Sequence, residues 1–172
     1  MKQGGRSAVN STAGDTRILP GPTENLAALV QEFRNVLSEL GKNATRCSLE
    51  EARVEAAGYF EPGHTVVGLF QANSLIGFSV VSVDDGVYWL SWIYVRPEHR
   101  GFVNASRLFD ASEKIALEAG EARLYIWIHP NNTLMLRFLK KKGYDTLNLI
   151  EVTKREKQGA AEVRVFDNVL WY

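Results

Sequence analysis

The sequence predicts an α/β fold, a twisted mixed, mostly antiparallel sheet flanked by four helices. Three observations predict it. Apolar residues recur at helical spacing from Leu26 to Leu40, β-branched and aromatic runs fill residues 64–95, and apolar strands alternate with helical patterns after that. Strand, helix and strand in succession after residue 86 require crossover connections, so one pairing must be parallel within an otherwise antiparallel sheet.

Residues 1–16 are rich in Gly, Ser, Asn and Thr and carry no periodicity, which predicts a flexible N-terminal tail before a single domain over 17–172. "RILPGP" reads as a short strand and turn. Leu26, Leu29, Val30, Phe33, Val36, Leu37 and Leu40 then form one helical face that Gly41 ends. A second helix opens at Ser48, with Glu51 three positions on, so that each side chain satisfies the other's backbone amide. "HTVVGLFQ", "SLIGFSVVSV" and "VYWLSWIYV" are three strands of an antiparallel meander, separated by "ANS" and "DDG" turns. Alternation places Tyr88, Trp92 and Tyr94 on one face of the third and Trp89 on the other, mostly as core.

Ala105, Leu108, Phe109, Ser112, Ile115, Ala116 and Ala119 share a helical face that stops at Gly120. "RLYIWIHP" reads as a strand buried on both sides, and "NTLMLRFLKKKG" as a helix with Leu134, Met135, Phe138 and Leu139 inward. Its "KKK" complements the negative end of the helix dipole. "TLNLIEVTK" and "EVRVFDNVLWY" read as strands joined by a solvated "KREKQGAA" loop, and the strand-rich C-terminus offers an edge for pairing in a homodimer.

Composition narrows the partners. A hydrophobic fraction of 45% and a charged fraction of 23% are those of an ordinary globular chain. Twenty basic and twenty acidic residues cancel, so no net field favours a nucleic acid or an anionic membrane. Cys47 has no partner for an internal disulfide, and with three scattered histidines it makes no metal-ligand spacing, so no metal is expected. No apolar run approaches the ~18 residues of a spanning helix. The first residues also lack the apolar middle of a signal peptide, so a cytoplasmic protein is expected.

The chemistry concentrates in "VRPEHRGFVNASRLF", residues 95–109, where a strand runs through a turn into a helix. A helix aims its first free amides at one point, and its dipole favours an anion there. Arg100 adds positive charge, Gly101 admits close approach, and Ala105 and Ser106 keep the first turn small. The sequence lacks both the P-loop pattern and the three-glycine dinucleotide fingerprint.

The run "WIYVRPEHRGFVNASRLF", with "LYIWIHPNNTLMLRFLKKKGY" after it, resembles the GNAT superfamily of N-acetyltransferases. Val95, Pro97, Arg100, Gly101, Ala105, Ser106 and Leu108 fall on that family's strand-loop-helix motif, and Asn132, Gly143 and Tyr144 on its closing segment. The resemblance implies an acetyl-CoA cofactor and an amine acceptor as partners. It implies that the backbone at Ile93 and Val95 pairs with the pantetheine arm. The amides of Gly101, Val103, Ala105 and Ser106, with Arg100, would hold the pyrophosphate, and Asn132 would contact the arm. The acetyl thioester would lie where strands 87–95 and 124–129 splay apart.

Two departures from the family pattern stand out. Val103 replaces the central glycine of the loop, which asks for negative φ there or a shifted loop. Leu139 stands four residues before Gly143, where many relatives carry a tyrosine that protonates the departing thiolate. Candidates for moving protons are then His129, whose intrinsic pKa suits a base, and Ser91, which can orient a water. His99 is expected in solvent or near phosphate. The expected activity is acetyl transfer to a primary amine, with a non-catalytic acyl-CoA-binding or regulatory module as the alternative.

Overall fold

A computed structural model describes residues 14–40, 45–129, 132–152, 154, 162–165 and 167–171. Most of the expected tail, the Gly41 helix stop and nearly all of "KREKQGAA" lie outside the described residues. The chain divides into two units, residues 1–138 and 139–172.

In the first unit, strands β1 (Asp15–Ile18), β2 (His64–Gln71), β3 (Ser74–Asp84) and β4 (Val87–Val95) form one antiparallel sheet in that order. β1 takes in the last two residues of the expected tail, and Gly14 ahead of it is buried. The turns are those the sequence specifies: Ala72, Asn73 and Asp85 take positive φ, as does Gly86. Helices α1 (Glu24–Leu40) and α2 (Leu49–Gly58) follow β1, and α2 carries the expected capping box between Ser48 and Glu51. Helix α3 (Phe102–Glu118) follows β4, and α4 (Thr133–Lys141) comes next.

The sheet is apolar on both faces because each face has helices to bury against. Leu26, Leu29, Val30 and Phe33 of α1, with Ala52 and Ala56 of α2, pack on Val66, Phe78, Val80 and Tyr94. Leu108 of α3 packs with Val67, Leu69, Ile76 and Val95. One buried polar link crosses to α3, where the Ser79 and Ser112 hydroxyls meet at 2.7 Å and Ser112 also donates to the Leu108 carbonyl. Phe33 meets Phe78 edge-on at 5.8 Å between ring centroids, an arrangement that adds to the burial.

Several expectations are corrected. The segment 124–129 forms no ladder among the described residues beyond a parallel bridge of Tyr125 with Trp89, and Trp127 is 77% exposed, so it is not a strand buried on both sides. Leu134 is 71% exposed while Leu139 is buried, because α4 presents only a narrow stripe inward. In the second unit, residues 144–152 have no regular secondary structure, and Leu147 and Leu149 are exposed. "EVRVFDNVLWY" is an antiparallel hairpin of β5 (Glu162–Val165) and β6 (Asn168–Trp171) instead of one strand. Asp167 and Asn168 are turn formers in the middle of that run.

β3 and β4 also approach too closely for any side chain at Gly77. A Cβ there would lie 2.6 Å from the Tyr94 carbonyl oxygen and 3.3 Å from Val95 Cα, both backbone atoms. Gly77→Ala should therefore cost about 1–3 kcal/mol, read as a lower midpoint in urea unfolding with an unchanged slope.

Candidate active site

The site begins with a mismatch in strand length. β3 and β4 pair in register from Gly77–Val95 to Val80–Trp92, and then Val81 pairs with Leu90, leaving Ser91 as an extra residue in β4. Such a bulge bends the strand and reverses which residues face which side. Tyr88 pairs with Val83, which shares the α3 side of the sheet with Ser79. Trp92 and Tyr94 pair with Val80 and Phe78 on the α1 side, where Phe33 meets both rings. Tyr88 is thus separated from Trp92 and Tyr94, and Trp89, opposite Ser82, joins them, contrary to simple alternation.

The same bulge decides which backbone groups of β4 stay unpaired. Before it, Tyr88 and Leu90 bond to Tyr125 across the outer edge, at 2.8 Å each. After it, the Arg96 amide bonds inward to the Ile76 carbonyl. Alternation then turns Ile93 and Val95 toward the outer edge. Pairing with 124–129 is confined to Tyr125, so β4 and that segment part where the bulge bends β4. Ile93 is half-buried on this edge, and Val95 is buried, with its carbonyl accepting from Arg100.

At the end of that edge a tight turn, Pro97–His99, leads into α3. Gly101 precedes the helix with φ 161°, extended backbone open to any residue, and no side chain caps the first turn. Phe102, Val103 and Asn104 precede the first intrahelical bond, which runs from the Ala105 amide to the Gly101 carbonyl at 3.2 Å. Three amides therefore point out of the helix end where the dipole is positive. Of the expected donors, Ala105 spends its amide inside the helix, whereas the amides of Phe102, Val103 and Asn104 precede the first intrahelical bond. Val103 sits in the helix without positive φ, so the missing glycine needs no shifted loop.

The surroundings fit an anion. A Cβ at Gly101 would meet nothing within 4 Å, so the space over that residue is open for a ligand. Ser106 Oγ is buried with no hydrogen-bond partner among the described residues. Arg100 donates Nε to the Val95 carbonyl at 2.9 Å and lies over the Tyr94 ring at 5.7 Å. Its position is fixed by the strand end, and its terminal nitrogens remain as donors. Tyr94 in turn donates to Glu32 at 3.3 Å, and Glu32 pairs with Arg96 at 2.9 Å. Burial pushes the Tyr94 phenol up, and the nearby Glu32 adds to this, so Tyr94 holds its proton tightly.

Ser91 Oγ lies 2.6 Å from Ser82 Oγ, so that hydroxyl is already engaged with β3. His129 closes the 124–129 segment, and its carbonyl accepts from the Asn132 amide at 2.8 Å. Asn132 caps α4 through its Oδ1, which accepts from the Met135 amide at 3.2 Å, leaving Nδ2 as its outward donor. His99 gives its carbonyl to Asn104 Nδ2 at 2.9 Å. Beside Trp92, Arg34 lies over the indole at 4.4 Å while pairing with Glu55, which also accepts from Tyr59. Sequence reading missed the Ser91 bulge and the Asn104 and Arg34 contacts, none of which a local motif marks.

A family model described as the acetyltransferase (GNAT) family matches residues 30–144, which contain β2 to β4, the α3 turn and α4. The chain belongs to the GNAT family of acetyltransferases. Solved structures agree on the fold of this GNAT protein. A probable acetyltransferase is 17% identical, with 83% of this chain and 99% of that one covered and a TM-score of 0.65. The aminoglycoside N-acetyltransferase AAC(6')-Iy in complex with CoA is 13% identical over 87% of this chain and all of that one, with a TM-score of 0.61. A ribosomal-protein-alanine N-acetyltransferase from Brucella melitensis biovar Abortus 2308 is 19% identical over 84% of this chain and all of that one, with a TM-score of 0.57. No curated protein matches the chain at a significant level. None of its described helices is long and apolar enough to cross a membrane.

Reversing the charge beside the α3 amides tests the anion site directly. Arg100→Glu should weaken binding of inorganic pyrophosphate by about 1.5–3 kcal/mol, tenfold or more in Kd. Titration of the Phe102, Val103 and Asn104 amide signals by NMR reads that loss.

Proposed function

We propose that this GNAT protein transfers the acetyl group of acetyl-CoA to a primary amine carried by a small molecule or a protein. The observation that carries the reading is the outer edge of β4 at Ile93 and Val95, leading straight to the uncapped amides of α3. An extended, amide-bearing arm ending in a pyrophosphate matches that sequence of donors and acceptors, as an added strand matches a sheet edge. Arg100, the Phe102–Asn104 amides and the Ser106 hydroxyl would hold the phosphates, and Asn132 Nδ2 would reach the arm from the other side. The acyl donor supplies an activated thioester when bound. Relatives of the same fold that carry N-acetyltransferase names act on an aminoglycoside in one case and on a ribosomal-protein alanine in another, which supports an amine acceptor.

In the transfer, the amine nitrogen forms a bond to the carbonyl carbon, the carbon–sulfur bond breaks, and the amine proton must leave as the thiolate gains one. Backbone amides along the splayed edge polarise the carbonyl, and holding amine and thioester together lowers the entropic barrier. Proton traffic passes through water with His129 at the segment end, since Ser91 is tied to Ser82 and Leu139 offers no acid.

The test has two arms. Acetyl-CoA at about 100 times its Kd should stabilise the fold by about 2.7 kcal/mol, read as a rise in Tm. Release of free thiol from acetyl-CoA should then accelerate with at least one acceptor in a panel of polyamines, amino acids, aminoglycosides and peptide N-termini. Tight binding without turnover on any acceptor would leave a CoA-binding module in its place, and no binding would overturn the reading.

A further inference from the structure

Gly14, at the entry to β1, is gripped by two side chains of α3. Its amide donates to Asn104 Oδ1 at 3.1 Å, and its carbonyl accepts from Arg107 Nη1 at 3.0 Å. Asn104 is only 7% exposed, and its Nδ2 donates to the His99 carbonyl at 2.9 Å. One buried amide side chain thus joins three pieces of backbone: the start of β1, the Pro97–His99 turn and the first turn of α3. Both ends of a buried amide need partners, so losing either one leaves a polar group stranded. Asp15 adds only an exposed contact to Arg107 at 3.8 Å.

The grip is sterically specified from the other side as well. A Cβ on Gly14 would lie 2.8 Å from the Phe70 carbonyl oxygen and 3.0 Å from Leu69 Cδ1, so only glycine sits this close to β2. Any side chain at residue 14 must shift the peptide from β2 and so disturb its bonds to Asn104 and Arg107.

We propose that Asn104 is a positioning residue that couples the seating of Gly14 to the anion site at the head of α3. With Gly14 seated, the His99–Gly101 turn and the amides of Phe102, Val103 and Asn104 are held in the orientation that receives the pyrophosphate of acetyl-CoA. The inference rests on the reading of that site given above. Because coupling between two sites is reciprocal, the affinity that seating adds for the cofactor is the affinity the cofactor adds for seating.

The experiment titrates CoA and phosphate-free pantetheine into the unaltered chain, Gly14→Ala and Asn104→Leu, and follows amide hydrogen exchange across Asp15–Ile18 with and without CoA. Gly14→Ala changes no atom or charge on α3. The Kd for CoA should rise about tenfold in both variants, with pantetheine binding unchanged, whereas a role confined to general stability would weaken both ligands together. Exchange at Asp15–Ile18 in the unaltered chain should slow when CoA is saturating. Folded variants with an unaltered Kd for CoA, or exchange indifferent to CoA, would overturn the coupling while leaving the site reading intact. Failure of the unaltered chain to bind CoA would overturn both. Where a variant does not fold, the exchange measurement on the unaltered chain decides.

Discussion

β4 carries one residue more than β3 can match, and where that residue falls decides which backbone groups the sheet leaves unpaired. With Ser91 set out of register, Tyr88 and Leu90 serve the Tyr125 bridge, while Ile93 and Val95 turn their backbone to the outer edge beyond it. A strand without the bulge would keep even-numbered residues on that edge throughout. The Tyr88–Leu90 pattern of pairing would then run on to Val95 and close the groove along 124–129. The Ser82–Ser91 hydroxyl pair holds the extra residue against β3, and Arg34 over Trp92 ties the strand just beyond it to α1. The bent half of β4 is thus fixed from both neighbours.

The candidate anion site follows from the same strand. β4 ends at Val95, whose carbonyl takes the Arg100 Nε, and the turn that brings Arg100 back also delivers the chain to the start of α3. A helix beginning at Phe102 puts its unpaired amides in the first turn regardless of which residues occupy it. Valine fits at 103 because the residue is helical, with no positive φ, and its side chain leaves the backbone amide unaltered. Gly101 is extended and would meet nothing with a Cβ, so its contribution is room for a ligand.

The fold was largely legible because its signals are local. The capping box at Ser48 and Glu51, the turns at Asn73 and Asp85–Gly86, and the change from helical to strand period near His64 each depend on a few neighbouring residues. The bulge was not legible, since "LSW" contains no glycine or proline and its cause is the register with β3. Segment 124–129 misled for a similar reason: an apolar run shows propensity, whereas a ladder needs a partner of matching length, and only Tyr125 finds one. Among site residues, Ile93, Val95, Arg100 and Gly101 carried a motif. Asn104 carried none, because its importance comes from Gly14, ninety positions away in the chain.

A site made mainly of backbone donors and acceptors places few demands on side chains. Strand edge and helix end are properties of how β4 and α3 are laid out, so the layout must be kept while most residues along it are free to change. Solved structures at 13–19% identity share the fold with TM-scores of 0.57–0.65. Tight packing around β4 and the start of α3 leaves less freedom. Gly77 against Tyr94, Gly14 against Phe70, and Asn104 between His99 and Gly14 are three such places, each fixed by a close approach or a buried amide. The acceptor is chosen by side chains, so a family identified through its strand and helix layout leaves the acceptor to experiment.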